Sequence, residues 1–261
     1  MGRIHRTKSR EDNMNIKTGD LIQLGPHKLI CGDSLQPSTY TKLIQDNKID
    51  LVITDPPYGV NYGEKNKQLN KIGKGNRIEN NIINDNIQDY NTFFQKIFTN
   101  WKPYLQEYNS IYIFISDLII HKVITQLENT GYTYNTTLKW IKNNHVYGFN
   151  DYMKKSEPII YAWYKKHKFY GGFNTDVLEY NKPRRNKLHP TLKPLKLVGK
   201  LMLNNSQPDM NILDPFGGSG TTLPVSEKLH RNCYMIEKDP HYIKTIIQRY
   251  TKLTGKQPHK I

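Results

Sequence analysis

The chain has 261 residues and carries 38 Lys plus Arg against 23 Asp plus Glu, a net charge of +15 that favours a polyanionic partner. At 36% hydrophobic residues it can bury a sizeable core and lies outside the disordered range. No apolar run approaches the ~20 residues of a membrane span, the start "MGRIHRTKSRED" lacks the apolar core of a signal peptide, and Cys31 and Cys233 have no metal-ligand spacing; a cytoplasmic protein without a metal site is expected.

In chain order, residues 1–18 read as a flexible basic arm and 19–261 as one domain. "GDLIQLGPHKLICGDSL" predicts a hairpin entering a strand that ends near Cys31. "IDLVIT" is apolar and β-branched, as expected of a central parallel strand. Pro56 and Pro57 cannot donate to a sheet ladder, so this strand must stop at Asp55. Asp55 and Tyr58 then sit at a carboxyl end, where open α/β sheets bind ligands. Residues 59–81, rich in Gly, Asn and Lys, show no periodicity and are expected to form a mobile loop.

Apolar residues at 93, 94, 97, 98 and 101 predict an amphipathic helix ended by Pro103. "SIYIFIS" predicts a strand, and "DLIIHKVITQLENTG" a helix stopped by Gly131. "NTTLKWIK" and "EPIIYAWY" read as strands, as do short runs at 211–213 and at "CYMIE". The last helix has Asp239 as N-cap, Pro240 at its first position, Gly255 at its end and one apolar face at 243, 246, 247, 250 and 253. Strands alternating with helices argue an α/β fold with a doubly wound, mostly parallel sheet.

Charge is uneven: Lys139 to Lys196 holds 13 Lys plus Arg and four acids, with eleven aromatics from Trp140 to Tyr180. Cations for phosphate and rings for bases suit a nucleic-acid face, although "IIYAWY" reads as core.

"LDPFGGSGTT" is a strand end, a tight turn and a helix start, and Gly217, Gly218 and Gly220 permit close approach of backbone to a ligand. A phosphate-binding loop needs a Lys that is absent here, and a dinucleotide loop needs Gly where Leu223 stands. What remains is a loop that cradles an uncharged ribose and an amino-acid group. Glu237, 17 residues beyond Gly220, can accept ribose hydroxyls.

"DPPY" at 55–58, "HPTLKP" at 189–194 and "FGGSGTT" at 216–222 resemble the S-adenosylmethionine-dependent DNA amino-methyltransferases. The catalytic motif precedes the cofactor loop, which resembles the circularly permuted β group with its target-recognition region, here about 142–188, between the two. "KSEPIIYAWY", "KFYGGFN" and "NKLHPTLKP" look most like phage- or prophage-type adenine-N6 enzymes. The order counts against RNA guanine and protein-glutamine methyltransferases, and no Cys follows a Pro, which excludes cytosine-C5 chemistry.

The resemblance implies a Rossmann-like methyltransferase domain, S-adenosyl-L-methionine as cofactor, double-stranded DNA as partner, and adenine N6 as acceptor after base flipping. Cytosine N4 is the alternative, and a non-catalytic or partner-dependent DNA-binding subunit is an alternative of another class. Homodimers are common in this group. Asp55 and the Pro56 carbonyl would accept the amine hydrogens, with Pro57 stiffening the turn and Tyr58 stacking on the base. Asp33, Asp214, Phe216, Gly217, Gly218, Ser219, Gly220, Thr221 and Glu237 would line the cofactor pocket, which Asp55 also borders. Thr191 and Lys193 would reach the methionine carboxylate. His189 reads equally as a structural histidine or a ligand contact. Lys154, Lys155, Lys165, Lys166, Lys168, Arg184 and Arg185 are the candidate phosphate contacts.

Overall fold

The computed structural model describes residues 14–57, 71, 87–146, 151–182 and 193–261. In chain order these form β1 Leu21–Leu24, β2 His27–Cys31, α1 Pro37–Ile44, β3 Ile49–Thr54, α2 Tyr90–Trp101, a 3₁₀ turn at Lys102–Tyr104, and β4 Leu105–Phe114. Then come α3 Ile120–Asn129, β5 Thr133–Val146, β6 Lys154–Trp163, β7 Val177–Glu179 and α4 Leu195–Asn205. The chain closes with β8 Asn211–Asp214, α5 Thr222–Lys228, β9 Asn232–Glu237, α6 Pro240–Thr254 and β10 His259–Lys260.

The strands make one sheet in the order β10-β1-β2-β9-β8-β3-β4-β6-β5-β7. The five from β2 to β4 are mutually parallel. The hairpin β5–β6 is antiparallel and joins β4 through β6, while β7 lies parallel to β5.

Alternation from Leu51 onward, with a register shift between Ile49 and Leu51, explains the burial of β3 on both faces. Ile49 and Val52 point into one apolar layer with Leu43 of α1, Phe94 and Phe98 of α2, and Val123 of α3. Leu51 and Ile53 point into the other with Leu197 and Leu201 of α4 and Val225 of α5. A third cluster packs Ile243, Ile246, Ile247 and Tyr250 of α6 against β2 and β9. Helices therefore cover both faces, as parallel strands require.

The sequence-derived helix 90–101 buries Phe93, Phe94, Ile97, Phe98 and Trp101, and the side chain of Asp89 caps it. Pro103 sits in the 3₁₀ turn that follows. Asp239 caps α6 and Gly255 ends it in a left-handed conformation, but Leu253 on its expected apolar face is 40% exposed. The strand expected at "SIYIFIS" starts earlier, at Leu105, and α3 starts later, at Ile120.

Residues 14–18 and β6 both pack on the main body. Ile16 is buried in the third cluster and Lys260 Nζ bonds the Asn15 carbonyl, so residues 14–18 pack on the body. Within the stretch 142–188, β6 belongs to the main sheet, with Ile159, Ile160 and Ala162 in the core expected from "IIYAWY". The loop expected at 59–81 lies outside the described residues apart from Lys71.

Candidate active site

The two corners that the sequence places far apart share one rim. β3 and β8 are parallel neighbours with Val52 opposite Leu213, so Asp55 and Asp214 leave the sheet side by side. Asp214 faces Met235 of β9, and Cys31 of β2 faces Glu237. The carboxyl ends of β2, β9, β8 and β3 thus carry Asp33, Glu237, Asp214 and Asp55 in a row. At about 4.8 Å per strand, Glu237 and Asp55 stand roughly 10 Å apart across the sheet. From β3 the chain moves outward to β4, and from β8 it moves the other way to β9. This is the topological switch point at which open α/β sheets open a crevice.

The turn 215–221 is held from several sides. Asp214 accepts the Phe216 N–H at 3.2 Å and the Thr222 hydroxyl at 2.6 Å. Gly217 N donates to the Ile236 carbonyl at 2.9 Å, and Gly220 N to the Gly217 carbonyl at 2.7 Å. Gly218 and Gly220 have φ of 51° and 74°, the left-handed region that β-carbon sterics disfavour. Glu237 accepts Gly218 N at 2.6 Å and Asp239 N at 2.7 Å, which ties the loop to the end of β9. Ser219 is buried, and Thr221 is half-buried just before α5.

Four supporting residues escaped the sequence reading: Ser34, which bonds the Pro215 carbonyl, Arg249, which bonds the Ser219 carbonyl, Lys238, and Phe93. Asp33 accepts Leu35 N at 2.9 Å and pairs with Lys238 at 2.9 Å. The Phe216 ring lies 6.0 Å from Phe93. Their signal is long-range and invisible to local spacing.

Asp55 ends β3 and pairs through Oδ2 with Lys193 Nζ at 2.5 Å. Its Oδ1 is buried and has no hydrogen-bond partner among the described residues, and the same holds for Thr54 Oγ1. Burial pushes the Asp55 carboxyl above its usual range, opposed by Lys193. Lys193 precedes Pro194, which stands one residue outside the helix as its extended N-cap.

Two further missed residues complete the charges here. Glu157 of β6 pairs with the buried Lys142 of β5 and lies 3.8 Å from Lys193. Burial acts to raise the Glu157 carboxyl, but Lys193 and Lys142 outweigh it and hold it low. An acid heading the apolar run "EPIIYAWY" was the readable hint.

The candidate DNA contacts do not form one face. Lys154 and Lys155 stand at the same rim as Asp55, where Lys154 pairs with Asp117 at 2.8 Å. Lys165, Lys166 and Lys168 lie at the opposite end of the sheet, because β6 runs antiparallel to β4 and carries the chain about 30 Å away. There Lys166 pairs with Glu107 at 2.8 Å, at the start of β4, and the Lys168 carbonyl accepts from Asn205. Tyr58, Arg184, Arg185, His189 and Thr191 lie outside the described residues. Among the described residues no cluster of His, Cys, Asp or Glu could hold a metal, and no helix is long and apolar enough to cross a membrane.

Burial raises both Asp214 and Glu237 to about 7. Between the unfolded carboxyl range near 4 and this value the folded state holds protons that the unfolded state has lost. Stability of the ligand-free protein should therefore fall as pH rises through this window, by about 1.4 kcal/mol per pH unit for each proton. Thermal melts from pH 5 to 8 should show a shallower loss for Asp214→Asn than for the unmodified protein; equal slopes would refute the assignment.

The residues fit S-adenosylmethionine: a half-buried carboxylate at the end of β9, a left-handed glycine turn beside it, and, two strands away, a carboxylate with one oxygen left without a hydrogen-bond partner among the described residues. The comparisons agree with this geometry. The family model described as "DNA methylase" (N6_N4_Mtase) matches residues 49–186 and 174–249. Type II methyltransferase M2.MboI of Moraxella bovis is 28% identical over 272 residues, covering 95% of this chain and 91% of its own. The crystal structure of an M1.HpyAVI-SAM complex is similar with a TM-score of 0.62 and 25% identity, over 85% of this chain and 98% of that one. The cytosine-N4-specific PvuII DNA methyltransferase shares the fold, with a TM-score of 0.63 at 16% identity over 88% of this chain and 91% of its own. A match across most of the chain, with the catalytic corner and the glycine turn on one rim, places this protein in the DNA methylase family of N6 and N4 amino-methyltransferases, which are S-adenosylmethionine-dependent enzymes.

Proposed function

We propose that the chain methylates adenine N6 in double-stranded DNA, with the target base flipped into the crevice beside Asp55. The observation that carries this reading is the buried, unpartnered Asp55 Oδ1 at the end of β3, a carboxylate acceptor kept in place by Lys193 on its other oxygen. An exocyclic amine is a poor nucleophile because its lone pair is delocalised into the ring. Asp55 Oδ1 would accept one amine hydrogen and the Pro56 carbonyl the other, which leaves the lone pair pointing into the crevice. Bound S-adenosylmethionine supplies a methyl group on a sulfonium. On methylation the amine nitrogen would shed one proton, and Asp55 would take it. Positioning of this kind can supply ~7–11 kcal/mol of the barrier.

Around the donor, each Glu237 oxygen accepts one backbone N–H and keeps a second lone pair for a ribose hydroxyl. The Lys193 cation would attract a methionine carboxylate beside its Asp55 contact. Thr191 would assist there. Asp33 would face the adenine of the donor, and Phe216 and Ser219 would line the turn. Tyr58 would stack on the flipped base, worth about 1–3 kcal/mol against a flipping cost of a few kcal/mol. The aspartate of "DPPY" favours adenine over cytosine N4, because the cytosine enzymes more often carry "SPPY". Nuclease digestion of methylated DNA followed by nucleoside mass spectrometry decides it: N6-methyladenine supports the reading and N4-methylcytosine overturns it.

Lys154 and Lys155, at the carboxyl-end rim, would contact phosphate. DNA affinity should fall steeply with salt, and Lys155→Ala should reduce the salt slope by about 1. Lys165→Ala, at the far end of the sheet, should leave it unchanged. Equal effects of the two would remove the rim assignment. Arg184 and Arg185, outside the described residues, are further candidates. Light scattering with and without DNA tests the homodimer that the resemblance implies.

A further inference from the structure

We propose that Glu157 and Lys142 are positioning residues for Asp55: together they set how Lys193 is shared between two carboxylates, and so keep its ammonium on the catalytic one. This rests on the function proposed above.

The placement is a row of alternating charge across four neighbouring strands. Asp55 ends β3, the Phe114 ring ends β4 with Lys193 Nζ 5.0 Å from its centroid, Glu157 lies on β6, and Lys142 on β5. Trp140 pairs with Glu157 in the β5–β6 ladder, and Lys142 Nζ lies 5.3 Å over the Trp140 ring. Lys142 is 3% exposed and Lys193 7%. Lys193 is 2.5 Å from Asp55 and 3.8 Å from Glu157, so its bias toward Asp55 is measurable in the geometry.

Four charges in a largely dry setting are poor stabilisers. Desolvation offsets much of what such pairs gain, and apolar residues of similar size often hold a fold as well. The row therefore needs another reason to exist, and its arithmetic supplies one. Two carboxylates and two ammoniums sum to zero. Lys142 occupies Glu157, which leaves Lys193 for Asp55. Removing Lys142 turns Glu157 into a competitor that draws Lys193 away. Removing Glu157 takes away the carboxylate that competes with Asp55 for Lys193. Among the described residues the charged groups acting on Asp55 are Lys193, Glu157 and Lys142, with Asp214 on the neighbouring strand and Lys182 acting on Glu157.

The test reads Asp55 directly in the full, ligand-free chain. Carbon NMR of carboxyl-labelled aspartate, assigned with Asp55→Asn, follows its titration in the unmodified protein, Lys142→Met, Glu157→Gln and the double variant. Lys142→Met should raise the Asp55 midpoint by about one pH unit and Glu157→Gln should lower it by a similar amount. The double variant, neutral like the original row, should return close to the starting midpoint. The acid limb of the single-turnover methylation rate should move with these midpoints, so Lys142→Met should lose rate on the acid side and regain it as pH rises. Residues that merely supported the fold would lower the melting temperature in both single variants and leave the midpoint fixed; that result, or shifts of the same sign, overturns the proposal. Glu157→Gln keeps shape and carries the test alone should Lys142→Met not fold. A chain that never methylates DNA refutes the function above while the titration still judges this inference.

Discussion

Asp55→Ala should cut the methyl-transfer rate by ~10³-fold and leave S-adenosylmethionine binding within a few-fold. Two losses combine. The amine loses the acceptor that directs its lone pair, and the crevice loses the negative charge that receives the proton. The fold should survive, because Lys193 still has Glu157 within 3.8 Å and is not stranded as a lone buried charge. Cofactor affinity should persist because Glu237 and the turn 215–221 stand on other strands. Asp55→Asn separates the losses: it keeps one acceptor oxygen and removes the charge, so its defect should be smaller than that of Asp55→Ala. Single-turnover kinetics and calorimetry check both. Residual activity near the unmodified level in Asp55→Ala would end the case for this residue.

Gly218→Val should weaken S-adenosylmethionine binding by roughly 10- to 100-fold while the melting temperature falls only modestly. Gly218 has φ of 51°, and a β-branched residue there is strained by about 1–3 kcal/mol, which the loop relieves only by leaving its conformation. The Gly218 N–H then no longer points at Glu237 Oε2, 2.6 Å away, and the carboxylate loses the partner that orients it. Gly220→Val is the harsher change: a β-carbon there would stand 2.7 Å from Ile246 of α6, so this variant should lose stability as well as affinity. Calorimetric titration with the cofactor distinguishes them, and unchanged affinity in Gly218→Val would remove the turn from the pocket.

Much of this molecule was legible one segment at a time. The period of the apolar residues at 93, 94, 97, 98 and 101 dictated α2, because that stripe has one way to be buried. Asp239, Pro240 and Gly255 bracketed α6 because capping is a local matter of backbone donors and φ. Pro56 and Pro57 ended β3 because they cannot continue its ladder. Motif order then indicated the DNA methylase family, and local chemistry gave Asp55, the glycine turn and Glu237 their expected roles.

Tertiary structure decided what depends on strand order. That residues 55 and 214 share a rim follows from β8 inserting next to β3, a pairing that no spacing encodes. The reversal of β6 decided which lysines face the crevice, since a run of cations along a strand that crosses the sheet serves both ends at once. Lys142 and Glu157 entered the site only through side chains meeting across neighbouring strands. Local rules fix what a segment becomes; contact between segments far apart in the chain depends on how buried faces are shared, and only the folded sheet settles that.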